Sequence, residues 1–166
     1  MLDISIEKRF AILCEIVRAQ HFAWREAALE ICPEVDAGSL VKRMWEITGR
    51  DTARAYLKWI DASRPLAEQV ARGVASSSII MGESVVVEVP PESGGDEALL
   101  RHTKCPWVDW HRRLRLLDED RPGCDAWFRS TVDHINRELG TKLRVETLAS
   151  LPEGGACCLR RFWIEP

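Results

Sequence analysis

The chain first changes its hydrophobic period in "SSSIIMGESVVVEVPP" (Ser76 to Pro91), and that change limits the folds open to it. Before it, apolar residues recur at helical spacing. After it, β-branched runs bounded by glycine and proline alternate with helix-period segments. In the first part, Ile6, Phe10, Leu13 and Val17, then Phe22, Ala23, Ala27 and Leu29, read as one amphipathic helix ending before Pro33. Leu40, Met44, Trp45 and Ile47 continue the pattern. Gly49 is a candidate helix end, Asp51 a candidate cap for a helix carrying Ala55, Tyr56 and Trp59, and Ser63 a candidate cap for the next helix, with Pro65 in its first turn.

In the second part, "SSSIIMGESVVVEVPP" and "EALLRHT" predict a hairpin around the loop Glu92 to Asp96. A helix enters near Pro106, a second opens at Cys124 and ends at Gly140, and "TKLRVETL" and "ACCLRRFWIEP" form a closing hairpin. Strands and helices are segregated, so the expected fold is α+β: an antiparallel sheet of about four strands packed with helices, preceded by an N-terminal helical region. A single domain is expected over residues 1–166, its helical part covering 1–77 and its α+β part 78–166.

Charge and composition narrow the function. The formal net charge is −3, which lacks the basic excess that nucleic-acid and membrane-surface binding use, so neither partner class is expected. No apolar run approaches the roughly 18 residues of a spanning helix. The segment "MLDISIEKRF" does not read as a signal peptide, and cytoplasmic residence is the expectation. In a reducing compartment the six cysteines are free thiols, metal ligands or catalytic groups before they are disulfides. Seven tryptophans against one tyrosine suit a ligand pocket as well as a core.

The dispersed set Cys105, Cys124, Glu146 and Cys157-Cys158 is the best candidate for chemistry. A cysteine opening a helix would have its thiolate stabilised. Glu146 lies on a strand paired with the one that Cys157-Cys158 begin, and opposed side chains on neighbouring strands come within roughly 5 Å. Alternation lets only one cysteine of the doublet face that way. Thiolates plus a carboxylate can hold zinc or form a nucleophile with its base. No CxxC spacing supports this, and buried cysteine is also ordinary core filling. His21 and Trp24, three apart on a helix, and Trp107, Trp110 and His111 on a later one, suit the wall of a small-molecule pocket or simple packing. Cys14 and Cys32 read as helix packing.

The pieces "TKCPW", "RPGCDAWF", "LRVETL" and "LPEGGACCLRRF" resemble the L-2-amino-thiazoline-4-carboxylic acid hydrolases. In that pattern Cys158 matches the family cysteine and Arg161-Phe162 its terminal Arg-Phe, while Leu159-Arg160 depart from the usual Asp-Phe. The N-terminal "HFAW" and "RMWEITGRDTARAYLKW" are similar to the helical lead-in of related bacterial proteins. A more distant likeness is to 4-vinyl-reductase-type small-molecule-binding domains, which hold zinc through cysteines and a glutamate. The cysteine expected just after that glutamate is replaced here, near Ala149.

The resemblance implies a hydrolase acting on a small ring with C–N and C–S bonds. Cys124, Glu146 and Cys158 would be its catalytic residues and the ligands of zinc or another divalent metal. His21, Trp24, Cys105, Trp107 and His111 would contact the substrate. The alternative is a sensor or carrier domain binding a small molecule in a tryptophan-lined pocket. A third reading, a subunit of a larger assembly, predicts a large exposed apolar patch. The partners expected are a small-molecule ligand or substrate, with a homodimer left open.

Overall fold

The computed structural model describes residues 4–165. Helix α1 (Ile6–Ile31) starts at Ser5, whose hydroxyl accepts the Lys8 amide, and runs unbroken through 26 residues. Asp36 opens α2 (Ala37–Tyr56) by accepting the Ser39 amide at 2.8 Å. The expected break at Gly49 and Asp51 is absent, because α2 passes straight through both. Gly49 serves close approach instead: a Cβ there would lie 2.4 Å from the Trp127 carbonyl of the helix packed against it. Pro65, not Ser63, caps α3 (Leu66–Ile80), which also takes in "SSSII" that the sequence assigns to a strand.

Strand β1 is therefore short (Ser84–Glu88) and pairs antiparallel with β2 (Glu97–Lys104). Pro106 occupies the first turn of α4 (Pro106–Leu114), as expected. Arg115 ends α4 in the left-handed conformation (φ 61°), and α5 follows at once. Helix α5 (Leu117–Leu139) begins seven residues before Cys124 and accommodates Pro122 in its interior. The expectation that Cys124 opens a helix is thus wrong. Asp118, Glu119 and Asp120 fill the first turn, where carboxylates offset the helix dipole. Gly140 caps the C-terminus in the left-handed conformation (φ 65°). Strands β3 (Leu143–Ala149) and β4 (Cys158–Ile164) close the chain.

The sheet is antiparallel throughout, in the order β1-β2-β4-β3. The fold is α+β, with a four-stranded sheet after an N-terminal helical region. Helices α3 and α5 cover one face. Val70, Val74, Leu100, Phe128, Ile135 and Phe162 meet there in the core. Leu100, Ile135 and Phe162 are fully buried, each worth roughly 1.5–3 kcal/mol of apolar transfer. The other face is laced with ion pairs, Glu88 with Arg101 and Arg161 with both Glu97 and Glu146. Among the described residues no helix is long and apolar enough to cross a membrane.

One stripe departs from the usual rule. Ile6, Phe10, Leu13 and Val17 share a face of α1, yet that face is bare. Cys14, Arg18 and Phe22 dock the helix instead.

Candidate functional site

Pairing register places a polar patch at one end of the covered sheet face. On β4 the inward residues are Cys158, Arg160 and Phe162. Across the ladders His102 pairs with Cys158, and Leu100 and Thr147 flank Arg160 on its two sides. The sheet therefore runs from apolar at Phe162 to polar at Cys158. Helix α5 lays Asp120 and Cys124, four residues apart on one face, over that end.

Arg160 organises the patch. Its Nη2 donates to Cys124 Sγ at 3.0 Å and lies 4.0 Å from Asp125 Oδ1, and its guanidinium stacks 4.2 Å over the Phe128 ring. Asp125 also accepts from the Thr147 hydroxyl at 2.7 Å. Cys158 is buried and accepts the Leu151 amide at 3.3 Å. Burial pushes the Cys124 thiol up to about 12, against the opposing pull of Arg160. Burial also drives the Cys105 thiol well above its ordinary value, and the Glu83 carboxylate adds to it. Cys124 is a neutral thiol at pH 7, not the activated thiolate that a helix start would have made.

Glu146 is not part of this patch. It sits on the opposite face of β3, 44% exposed, beside Arg161 at 3.6 Å. Alternation explains the separation: Glu146 is registered with Arg161, which points outward, while Cys158 and Arg160 point inward. The expected Cys124–Glu146–Cys158 metal triad is therefore corrected. A guanidinium occupies the place beside the Cys124 sulfur where a cation would go, and among the described residues no group of three or more His, Cys, Asp and Glu converges on a metal position. Of the doublet, Cys158 does face Cys124, and Cys157 lies 3.5 Å from Arg101 on the outer side.

The histidine–tryptophan set divides. His21, Trp107 and His111 do come together, joined by Phe22 and Trp45, with His21 5.2 Å from the Trp45 ring and 5.5 Å from that of Trp107. Trp24 does not join them. It is 76% exposed, because three residues along a helix turns a side chain about 60° away from His21's edge of the docked face. His111 Nδ1 lies 2.8 Å from Asp120 Oδ2 and 2.9 Å from the Trp107 carbonyl, two acceptors that fix the proton on Nδ1. Its Nε2 has no partner among the described residues. Burial, reinforced by the charge of His111, drops His21 to about 4. Cys105 stands at the head of α4, close enough to Cys124, Asp120 and Glu83 to feel their charges. His102 meets Ser78 at 3.0 Å and Glu83 at 3.2 Å through the same nitrogen, Nε2, so no serine–histidine–carboxylate relay forms.

An open cleft of about 520 Å³ lies beside the patch, lined by residues that include Asp118, Arg121, Asp125, Arg129 and Glu153. Asp125 belongs to both, facing the cleft on one side and Arg160 on the other. Arg129 has no ion-pair partner among the described residues, whereas Arg121 is held by Glu153 and Asp125. Sequence reading passed over Asp120, Asp125 and Arg160. The signal for two of them was present: Asp120 is one helical turn before Cys124, and Arg160 is one strand repeat after Cys158.

Comparison with known proteins agrees with this architecture. A trafficking protein particle complex subunit 3 from Naegleria fowleri, covalently bound to palmitic acid in its crystal structure, superposes with a TM-score of 0.57. The match covers 93% of this chain and 96% of that one at 10% identity, and so reports the fold alone. No curated protein matches the sequence. The L-2-amino-thiazoline-4-carboxylic acid hydrolase pattern matches residues 10–162, from α1 into β4. The chain belongs to that family.

Proposed function

We propose that the protein hydrolyses a small ring of the amino-thiazoline carboxylate class in the cleft beside Arg160. The family supports the reaction type, and the observation that carries the site is Asp125, which joins the open cleft to the Arg160–Cys124 pair. Such a substrate has an amidine-like carbon bonded to sulfur and nitrogen, and a carboxylate. Arg129, exposed and without a partner among the described residues, suits the carboxylate. Asp118, on the same cleft wall, suits the amidine end.

Asp125, oriented by Thr147, takes a proton from water as the water oxygen bonds to the ring carbon. The ring C–S or C–N bond then breaks, and the departing heteroatom takes up a proton. Asp125, protonated by the water, returns that proton to it, and Arg160, 4.0 Å from Asp125, steadies the negative charge that develops. Glu146 has no role in this scheme, and no metal enters it.

The test is incubation of the purified protein with L-2-amino-thiazoline-4-carboxylate, reading the gain of one water by mass and any new thiol by titration. Asp125→Asn should lower kcat at least 100-fold, while Glu146→Gln leaves it unchanged. Full turnover by Asp125→Asn would refute the site. Saturable binding with no turnover would favour the second reading, a binding domain. The observation behind that reading is the aromatic cluster of Phe22, Trp45 and Trp107 around His21.

A further inference from the structure

Helix α1 carries a second pattern that neither the fold nor the cleft uses. Ile6, Phe10, Leu13, Val17, Gln20, Trp24, Ala27 and Ile31 repeat at alternating spacings of four and three. This is the seam of a coiled coil, in which apolar residues recur twice per seven. Among the described residues little covers it: Ile6 and Ile31 are each 79% exposed, Trp24 is 76% exposed, Phe10, Leu13 and Val17 are exposed between them, and Ala27 is half-buried. Ile12 and Ile16 widen the bare strip on one side. Ile79 and Ile80 of α3 extend it, since the Ile80 carbonyl accepts from Cys14 on α1. Soluble chains rarely leave so long an apolar surface to water.

We infer that α1 packs antiparallel against α1 of a second copy of this chain. The sequence of the seam is self-complementary in that direction. Antiparallel register sets Ile6 against Ile31, the large Phe10 against the small Ala27, Leu13 against Trp24, and Val17 against Gln20 at the two-fold axis. The flank then places Ile16 against Ala23 and Arg9 against Glu30, an opposite-charge pair made twice by symmetry. Both charges are on the exposed side of α1, and Glu30 has no ion-pair partner among the described residues. The helix is about 39 Å long by its rise per residue. A seam of that length with its flanks covers on the order of 800 Å² per partner, the size of a stable specific interface.

The inference does not depend on the hydrolase reading. Sedimentation equilibrium of the full chain between about 1 and 100 μM tests it. The wild type should be a dimer, and Leu13→Glu should be a monomer with unchanged far-UV circular dichroism. Arg9→Glu and Glu30→Arg should each weaken the dimer by at least tenfold, and the two together should restore it. A monomeric wild type would overturn the inference, including the case where α1 binds a different protein. A dimer indifferent to Leu13→Glu, or a double charge swap without rescue, would overturn it equally. Because all three positions are exposed, a folded variant is expected in each case, and thermal melts check it.

Discussion

At the scale of single residues, the environment of each cysteine decides what it can do, and sequence spacing shows little of that. Cys124 and Cys158 looked alike as candidates with Glu146. The ladder register separates them: two thiols face inward around Arg160 and the carboxylate faces water. One residue of slip would have reversed this. Alternation allowed only one cysteine of the doublet to face inward, and the family resemblance, not the strand pattern, pointed to Cys158. The helix above it was not legible, because Pro122 disguised the start of α5. These environments predict thiol chemistry. Cys14 and Cys158 are buried, and the Cys105 and Cys124 thiols are raised by burial, while Cys32 and Cys157 are half-exposed. With a disulfide reagent at pH 8, two of the six thiols should react quickly in the native protein, and all six after denaturation. Cys157→Ser should remove one fast equivalent, and Cys124→Ser none. Rapid labelling of Cys124 in the native state would show that its environment is more open than the Arg160 contact implies.

At the scale of elements, the helices that resisted sequence reading are those where tertiary contacts override a local stop signal. Gly49 and Asp51 look like an end and a start, but α2 needs Gly49 to bring its backbone onto α5, where Ser130 and Thr131 bond the Glu46 and Gly49 carbonyls. Pro122 looks like a start, yet α5 is held helical ahead of it by Glu119 with Arg25 and by Asp120 with His111. A proline inside a helix removes one backbone bond and crowds the carbonyl four residues back, at a cost of about 3 kcal/mol. Here that carbonyl belongs to Asp118, at the rim of the cleft. Pro122→Ala is therefore expected to stabilise the protein by roughly 1–3 kcal/mol, discounted for relaxation already present in the native helix. Chemical denaturation measures it directly. An unchanged or lowered midpoint would mean that the proline ring's packing at the cleft wall outweighs the bond it removes. The strands were easier: β2, β3 and β4 lie within two residues of where the sequence places them, and β1 lost its first residues to α3.

At the scale of the molecule, α1 is joined to the rest by a small, unusually polar interface, and that makes its docking sensitive to acid. The contacts include Cys14 to the Ile80 carbonyl, Arg18 to the Met81 carbonyl, Trp110 to Glu15, the Arg25–Glu119 pair, and the rings around Phe22 and His21. His21 is lowered to about 4 in the folded state by burial among aromatic rings, with His111 and Arg25 opposing its charge and Glu119 favouring it. Between about pH 6.5 and 4 the undocked helix binds a proton on this ring that the docked one does not. The stability contributed by neutral His21 is thus complete above about 6.5 and falls as the pH drops toward 4. The shift corresponds to roughly 3 kcal/mol at most. The loss falls on α1 before the sheet, whose core is shared among α3, α5 and the strands. Acid titration should therefore change the tryptophan fluorescence of Trp45, Trp107 and Trp110, which line or adjoin the α1 contact, before far-UV circular dichroism reports loss of the sheet. His21→Gln should flatten the fluorescence change between pH 6.5 and 4 and leave the later transition in place. Coincident transitions in the wild type, or an unaltered acid limb in His21→Gln, would mean that α1 and the sheet unfold as one unit and that other groups set the acid response.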